Sequence, residues 1–184
     1  MHYIFGYGSL IHISNSDSHV GYARLHAGSS SLSIRRAWNA HCVCRDTGRK
    51  YTAVGLEWTL PSTARPVNGR IFTCTDDELA ALQAREVDYD IIHLPAGLFE
   101  FLYMPLPLDT MIATFMPRYP RRPTVEYPIN RLYTEYCTDA CAAVSAEFAA
   151  EFIRETMPVL EQMPPTEQSE QESSPLPTTP VSDP

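Results

Sequence analysis

Hydrophobic periodicity changes at Thr75, and that change restricts the fold more than any other feature of this sequence. Before it lie four β-prone stretches: His2–Phe5, Ile34–Arg45, Thr52–Leu60 and Val67–Cys74. The glycine-bearing run Gly6-Tyr-Gly-Ser-Leu10 follows the first, and Pro61–Pro66 reads as a turn. Ser14–Ser33, rich in Ser, Gly and His, reads as loop. Then Thr75-Asp-Asp-Glu78 supplies a capping box, with Asp76 and Asp77 favourable at the positive end of a helix dipole. A helix over Asp76–Arg85 is predicted, followed by strands at Ile91–Leu94 and Phe99–Met104. Leu132–Thr156 reads as helical, broken near Thr138-Asp139, with Cys141, Val144, Phe148 and Phe152 on its buried face. Strands, one helix, strands and helices in that order predict an α+β fold rather than an alternating βαβ sheet.

The 184 residues fit one domain. A domain over 1–158 and a disordered tail over 159–184 are expected. The tail has six prolines and no aromatic residue, and its acids (Glu161, Glu167, Glu170, Glu172 and Asp183) meet no base. Such a segment cannot bury enough apolar surface to offset the entropy of ordering. The net charge of −8 falls to −3 once those five acids are set aside. The overall charge of −8 argues against a nucleic-acid partner, while the nearly neutral body says little about partners. No apolar run reaches the ~18–20 residues of a membrane span, so no membrane partner is expected. Met1–Leu10 lacks the basic and apolar regions of a secretory signal. Cys42, Cys44, Cys74, Cys137 and Cys141 are an odd set without zinc spacing. Reduced thiols, a cytoplasmic location and no metal are the expectations.

Three features are candidates for chemistry. Leu79, Leu82 and Glu86 fall at i, i+3 and i+7, which puts a carboxylate on the apolar face of the predicted helix. Glutamate is rarely buried without a partner or a purpose, yet a helix that frays at Arg85 would leave Glu86 solvated. Gly6–Leu10 is neither a dinucleotide fingerprint nor a nucleophile elbow. It is either a structural turn or a turn whose backbone N–H groups receive an anion. Met116–Pro128 carries four prolines and three arginines, and reads as a stiff basic loop that is either solvated or a rim for an anionic substrate. Most of the ten tyrosines, Tyr7, Tyr89 and Tyr133 included, suit core positions with a wet hydroxyl.

Taken in series, these motifs resemble the γ-glutamylcyclotransferase superfamily, with its ChaC-type and AIG2-like members. Phe5-Gly-Tyr-Gly-Ser-Leu10 is similar to the family's YGSL loop, and Ile34-Arg-Arg-Ala-Trp-Asn39 to its second strand. Val54-Gly-Leu56 and Val67-Asn-Gly-Arg-Ile-Phe72 resemble the strands that follow. Arg85-Glu86-x-x-Tyr89 is similar to the helix end that carries the family's glutamate, and Pro128-Ile129 with Tyr133 and Cys137 resembles its C-terminal helix. Ile34 and Ala84 depart from the common pattern.

The resemblance implies a small mixed β-barrel with flanking helices. It implies cyclisation of a γ-glutamyl group to 5-oxoproline, with release of an amine, amino acid or dipeptide and no cofactor. Glu86 is then the general acid/base, and Tyr7, Gly8, Ser9, Leu10, Tyr89 and Tyr133 bind the small-molecule γ-glutamyl substrate. The alternative is a non-catalytic module that binds a small molecule or a protein on the same fold. The sequence does not select an oligomeric state.

Overall fold

The computed structural model describes residues 1–12, 19–26, 33–103 and 105–156. The expected tail over 159–184 lies outside them. Eight strands and three α-helices are described, in the order β1 (His2–Gly6), β2 (His19–Leu25), β3 (Ser33–Val43), β4 (Lys50–Thr59), β5 (Val67–Cys74), α1 (Asp76–Arg85), β6 (Tyr89–Pro95), β7 (Phe99–Phe101), β8 (Met111–Pro117), α2 (Arg131–Ala142) and α3 (Ala146–Thr156). The α+β class holds. Six strands form a mixed sheet ordered β6-β8-β1-β5-β2-β7, and β3 and β4 form a separate antiparallel hairpin. The sheet is open, with β6 and β7 at its edges, where the resemblance implies a barrel.

β1 lies mid-sheet, antiparallel to β5 and parallel to β8. Side chains on a strand alternate between faces, and at the paired positions Ile4-Phe5 and Ile71-Phe72 β1 and β5 are apolar on both. Phe5 and Ile71 point into a core shared with Trp38 and Leu56 of the hairpin and with Phe148 and Phe152 of α3. Ile4 and Phe72 point the other way, to a second core closed by Leu79 and Leu82 of α1. Leu10 and Phe115 belong to that second core, so the turn after β1 sits where the sheet meets α1.

Three local expectations are corrected. β2 runs through the stretch expected to be loop. Its pattern is blurred by a register shift between His19 and Gly21 and by Arg24. Arg24 Nε donates to both oxygens of buried Glu151, at 2.9 and 2.8 Å, so the charge is paired rather than solvated. The break expected at Thr138-Asp139 lies instead at residues 143–145. Thr138 is helical, and its hydroxyl is satisfied within the helix by donating back to the Thr134 and Glu135 carbonyls. Ser145 then caps α3 by accepting from Phe148 N at 3.0 Å.

The third correction concerns Met116–Pro128. Met116 and Pro117 complete β8, and the rest is a strap docked on the hairpin. Arg121 N donates to Asn39 O, Thr52 N to Pro128 O, and the His41 ring stacks on Tyr127 with centroids 4.2 Å apart. Arg118 pairs with Asp90 and Arg122 with Glu57, so two of the three arginines already face carboxylates. No helix among the described residues is long and apolar enough to cross a membrane.

Candidate active site

The turn that leaves β1 is tight because glycine permits it. A Cβ on Gly6 would lie 2.5 Å from Leu10 Cβ. A Cβ on Gly8 would lie 2.8 Å from Val54 Cγ2 and 2.9 Å from the Tyr133 hydroxyl, so the backbone runs directly against both side chains. Ile11 N closes the turn onto Gly8 O at 3.0 Å, and Ser9–His12 form one 3-10 turn where no helix start is evident in the sequence. The Tyr7 ring is buried, and its hydroxyl donates to Phe115 O on β8.

Glu86 lies across from this turn at the end of α1. The helix does stop at Arg85, yet Glu86 is not solvated: its side chain is 18% exposed. It is the capping residue, with φ −93° and ψ 50° and its N–H bonded to Leu82 O. Its own carbonyl accepts from Tyr89 N at 3.0 Å. Because the residue leaves helical geometry, the cap and the following turn aim the carboxylate, not the i+7 spacing. Oε1 accepts from Nε and Nη2 of Arg85 at 2.9 and 2.7 Å. Arg45, at the tip of the β3–β4 hairpin, donates to the Ala84 and Arg85 carbonyls and so anchors this helix end.

An open cleft is lined by Tyr7, Gly8, Ser9, Leu10, Glu86, Tyr89 and Tyr133, together with Val54 and Phe115. All seven residues named from the sequence therefore border the same space. Among the described residues, Glu86 is the only carboxylate on the lining.

Burial pushes the Tyr7, Tyr89 and Tyr133 phenols well above the ordinary tyrosine value. All three are therefore neutral hydrogen-bonding groups at physiological pH. Tyr133 is presented by the first turn of α2, where Asn130 accepts from Leu132 N and Tyr133 N, and it meets Trp38 edge to face at 6.2 Å. Burial also pushes the neighbouring Cys42 thiol up to about 11. Among the described residues, no group of three or more His, Cys, Asp or Glu side chains is placed to hold a metal ion.

Sequence reasoning missed Val54 and Phe115 as pocket walls and Arg85 as the partner of Glu86. The alternation of β4 is the one signal that could have indicated Val54. Phe115 reaches the site through the β1–β8 pairing, which no local pattern announces.

No family model matches the sequence, and no curated protein matches it. Solved structures do. A γ-glutamyl cyclotransferase superposes with a TM-score of 0.61 at 11% identity, over 94% of this chain and 93% of that one. An uncharacterized human protein, loc79017, superposes with a TM-score of 0.59 at 12% identity over the same shares. YkqA from Bacillus subtilis gives 0.53 at 15% identity, over 83% of this chain and 53% of that one. At these identities the likeness is one of fold: this chain has the fold of the γ-glutamyl cyclotransferase structure.

Proposed function

We propose that the chain is a γ-glutamyl cyclotransferase that converts a γ-glutamyl group to 5-oxoproline and releases an amine, amino acid or dipeptide. The observation that carries the reading is Glu86. It is a shielded carboxylate at a helix end, and it shares a pocket with a glycine turn and three neutral tyrosines.

The substrate's α-amine is protonated near neutral pH, so a base must take a proton before it can attack. In this reading Glu86 takes it. The freed nitrogen bonds to the γ-carbonyl carbon of the same molecule and closes the five-membered ring. The tetrahedral oxyanion is met by N–H groups of the Tyr7–Leu10 turn. The amide bond to the leaving group then breaks as the proton on Glu86 passes to the leaving nitrogen. The freed carboxylate takes the second proton from the ring nitrogen, leaving the lactam N–H. It hands that proton to the released amine, which departs as its ammonium, and the carboxylate is regenerated. Tyr89 and Tyr133 complete the walls that hold the γ-glutamyl chain. Fixing amine and carbonyl in attack geometry contributes up to ~7–11 kcal/mol, which makes positioning a large part of the task.

The chemistry is complete with a base, a hydrogen-bonding turn and the substrate's own amine, so the proposal includes no cofactor. A reducing, cytoplasmic setting is part of the same proposal, supported by five cysteines that are all unpaired. The test is direct. Purified protein is incubated with glutathione, γ-glutamyl dipeptides and γ-glutamylamines, and 5-oxoproline is followed by mass spectrometry. Release from one class supports the proposal and names the substrate. Binding of these compounds without release would favour the non-catalytic module.

A further inference from the structure

We propose that Arg36 is a positioning residue for the Tyr7–Leu10 turn, held to it through the Tyr7 carbonyl and tied on its other side to the end of α3. The inference rests on reading that turn as the one that meets the substrate.

Arg36 lies on β3 and is 3% exposed. All three of its guanidinium nitrogens are used. Nη1 donates to Tyr7 O at 3.2 Å and to Asn68 O at 2.9 Å. Nη2 donates to Asn68 Oδ1 at 2.9 Å and to Phe152 O at 3.4 Å, and Nε to Thr156 Oγ1 at 2.6 Å. The guanidinium carbon stands 4.0 Å from the centre of the Phe152 ring. None of these partners is a carboxylate. Burial accordingly pulls the Arg36 pKa down to about 10, still cationic at neutral pH.

A buried cation met only by neutral acceptors is a poor way to stabilise a core. Its presence is understood from geometry. A planar fork reaches the turn after β1, the β5 backbone and the last turn of α3 together, and lysine cannot reproduce that fork. Phe152 O and Thr156 also lie at the negative end of the α3 dipole, where a cation is tolerated. A trans peptide points its C=O and N–H to opposite edges. With the Tyr7 carbonyl turned to Arg36, the Gly8 N–H is directed away from it. Arg36 thus sets the rotation of the Tyr7–Gly8 peptide, part of the turn that receives charge in the proposed reaction.

The experiment compares Arg36→Lys and Thr156→Val with Leu25→Ala, a truncation of a buried core residue that lowers Tm without deleting any of these hydrogen-bonding groups. Two quantities are read: hydrogen–deuterium exchange of residues 6–12, and steady-state 5-oxoproline release. Arg36→Lys is expected to speed exchange in 6–12 by about tenfold or more beyond the control, reflecting local rather than global opening. It should lower kcat by about 10²-fold with KM changed far less, as for loss of an aligned oxyanion donor.

Thr156→Val should shift both quantities the same way by a smaller amount, and Thr156→Ser should restore them. If Arg36→Lys does not fold, the Thr156 pair decides. Exchange in 6–12 that matches Leu25→Ala at equal Tm loss overturns the proposal. If the wild-type protein releases no 5-oxoproline from any substrate, the functional reading fails, and the exchange arm alone decides whether Arg36 holds the turn.

Discussion

Glu86→Gln separates chemistry from stability in one variant. Glutamine keeps the length and planarity of the side chain and can still accept a hydrogen bond from Arg85 or from a substrate ammonium. It cannot take a proton near neutral pH. Loss of a general acid/base group costs about 10²–10⁴ in rate. At about 1.36 kcal/mol per decade that is roughly 3–5 kcal/mol on the barrier. The stability change is expected to be far smaller. Arg85 is 48% exposed and Glu86 18%, so water remains available to the abandoned guanidinium. Pairs of this kind contribute about 0–1 kcal/mol. For a domain of this size that corresponds to a Tm shift of no more than about 2–4 °C. The assay is 5-oxoproline release under saturating and limiting substrate, with Tm measured on the same preparation. KM should move little, since binding contacts survive. A folded Glu86→Gln protein with near-wild-type turnover would refute both the role of Glu86 and the mechanism built on it.

Gly8→Ala places a methyl 2.8 Å from Val54 Cγ2 and 2.9 Å from the Tyr133 hydroxyl, and should lose about 1–3 kcal/mol in urea titrations together with most turnover. On Glu57, burial acts to raise the carboxyl pKa, but the Asn39 amide and the Arg35 and Arg122 guanidinium groups outweigh it and hold the group below its usual 4.5. A depressed folded value means that this stabilisation is present above the unfolded pKa and is lost as pH falls through the folded one. Glu57→Gln should therefore flatten the acid limb of stability below about pH 4.5, read as denaturation midpoints against pH. Among the thiols, hydrogen bonding to Thr47 lowers the Cys44 pKa, while burial pushes Cys42 and Cys141 up to about 11 and Cys137 up to about 12. Iodoacetamide near pH 7.5 should label Cys44 first by peptide mapping, because the thiolate is the reactive form.

What the sequence reveals follows from how local each signal is. The α1 start is legible because its capping box lies within four residues, and both of its hydrogen bonds form, Thr75 N to Glu78 Oε2 at 2.8 Å and Glu78 N to Thr75 Oγ1 at 3.3 Å. β2 is not legible, because the group that makes Arg24 acceptable inside the fold is Glu151, far along the chain. At Glu86 the spacing argument selects the right residue for the wrong reason. The residue has left the helix, and its direction comes from a cap that periodicity does not describe. Residue chemistry leaves the glycine turn as either structural or anion-receiving, and it is the family resemblance that nominates that turn and the tyrosines as substrate-binding. What local chemistry could not supply is which strands stand beside that turn, since Val54 and Phe115 arrive through packing and pairing set by the whole sheet.

The parallel pairing of β1 with β8 has a kinetic consequence. Tyr3 aligns with Ile112, so the central strand waits for its neighbour until most of the domain has been made. Closing so long a loop must be repaid by contacts that form afterwards, and such topologies fold slowly. During synthesis at ~5–20 residues per second, the apolar β1 stays without that edge for several seconds and is open to misassociation. The pocket walls span Tyr7 to Tyr133, so no early folding unit contains them. Recovery of turnover after dilution from denaturant should therefore lag behind recovery of far-ultraviolet helix signal, and a nascent chain released before α2 emerges should be catalytically silent.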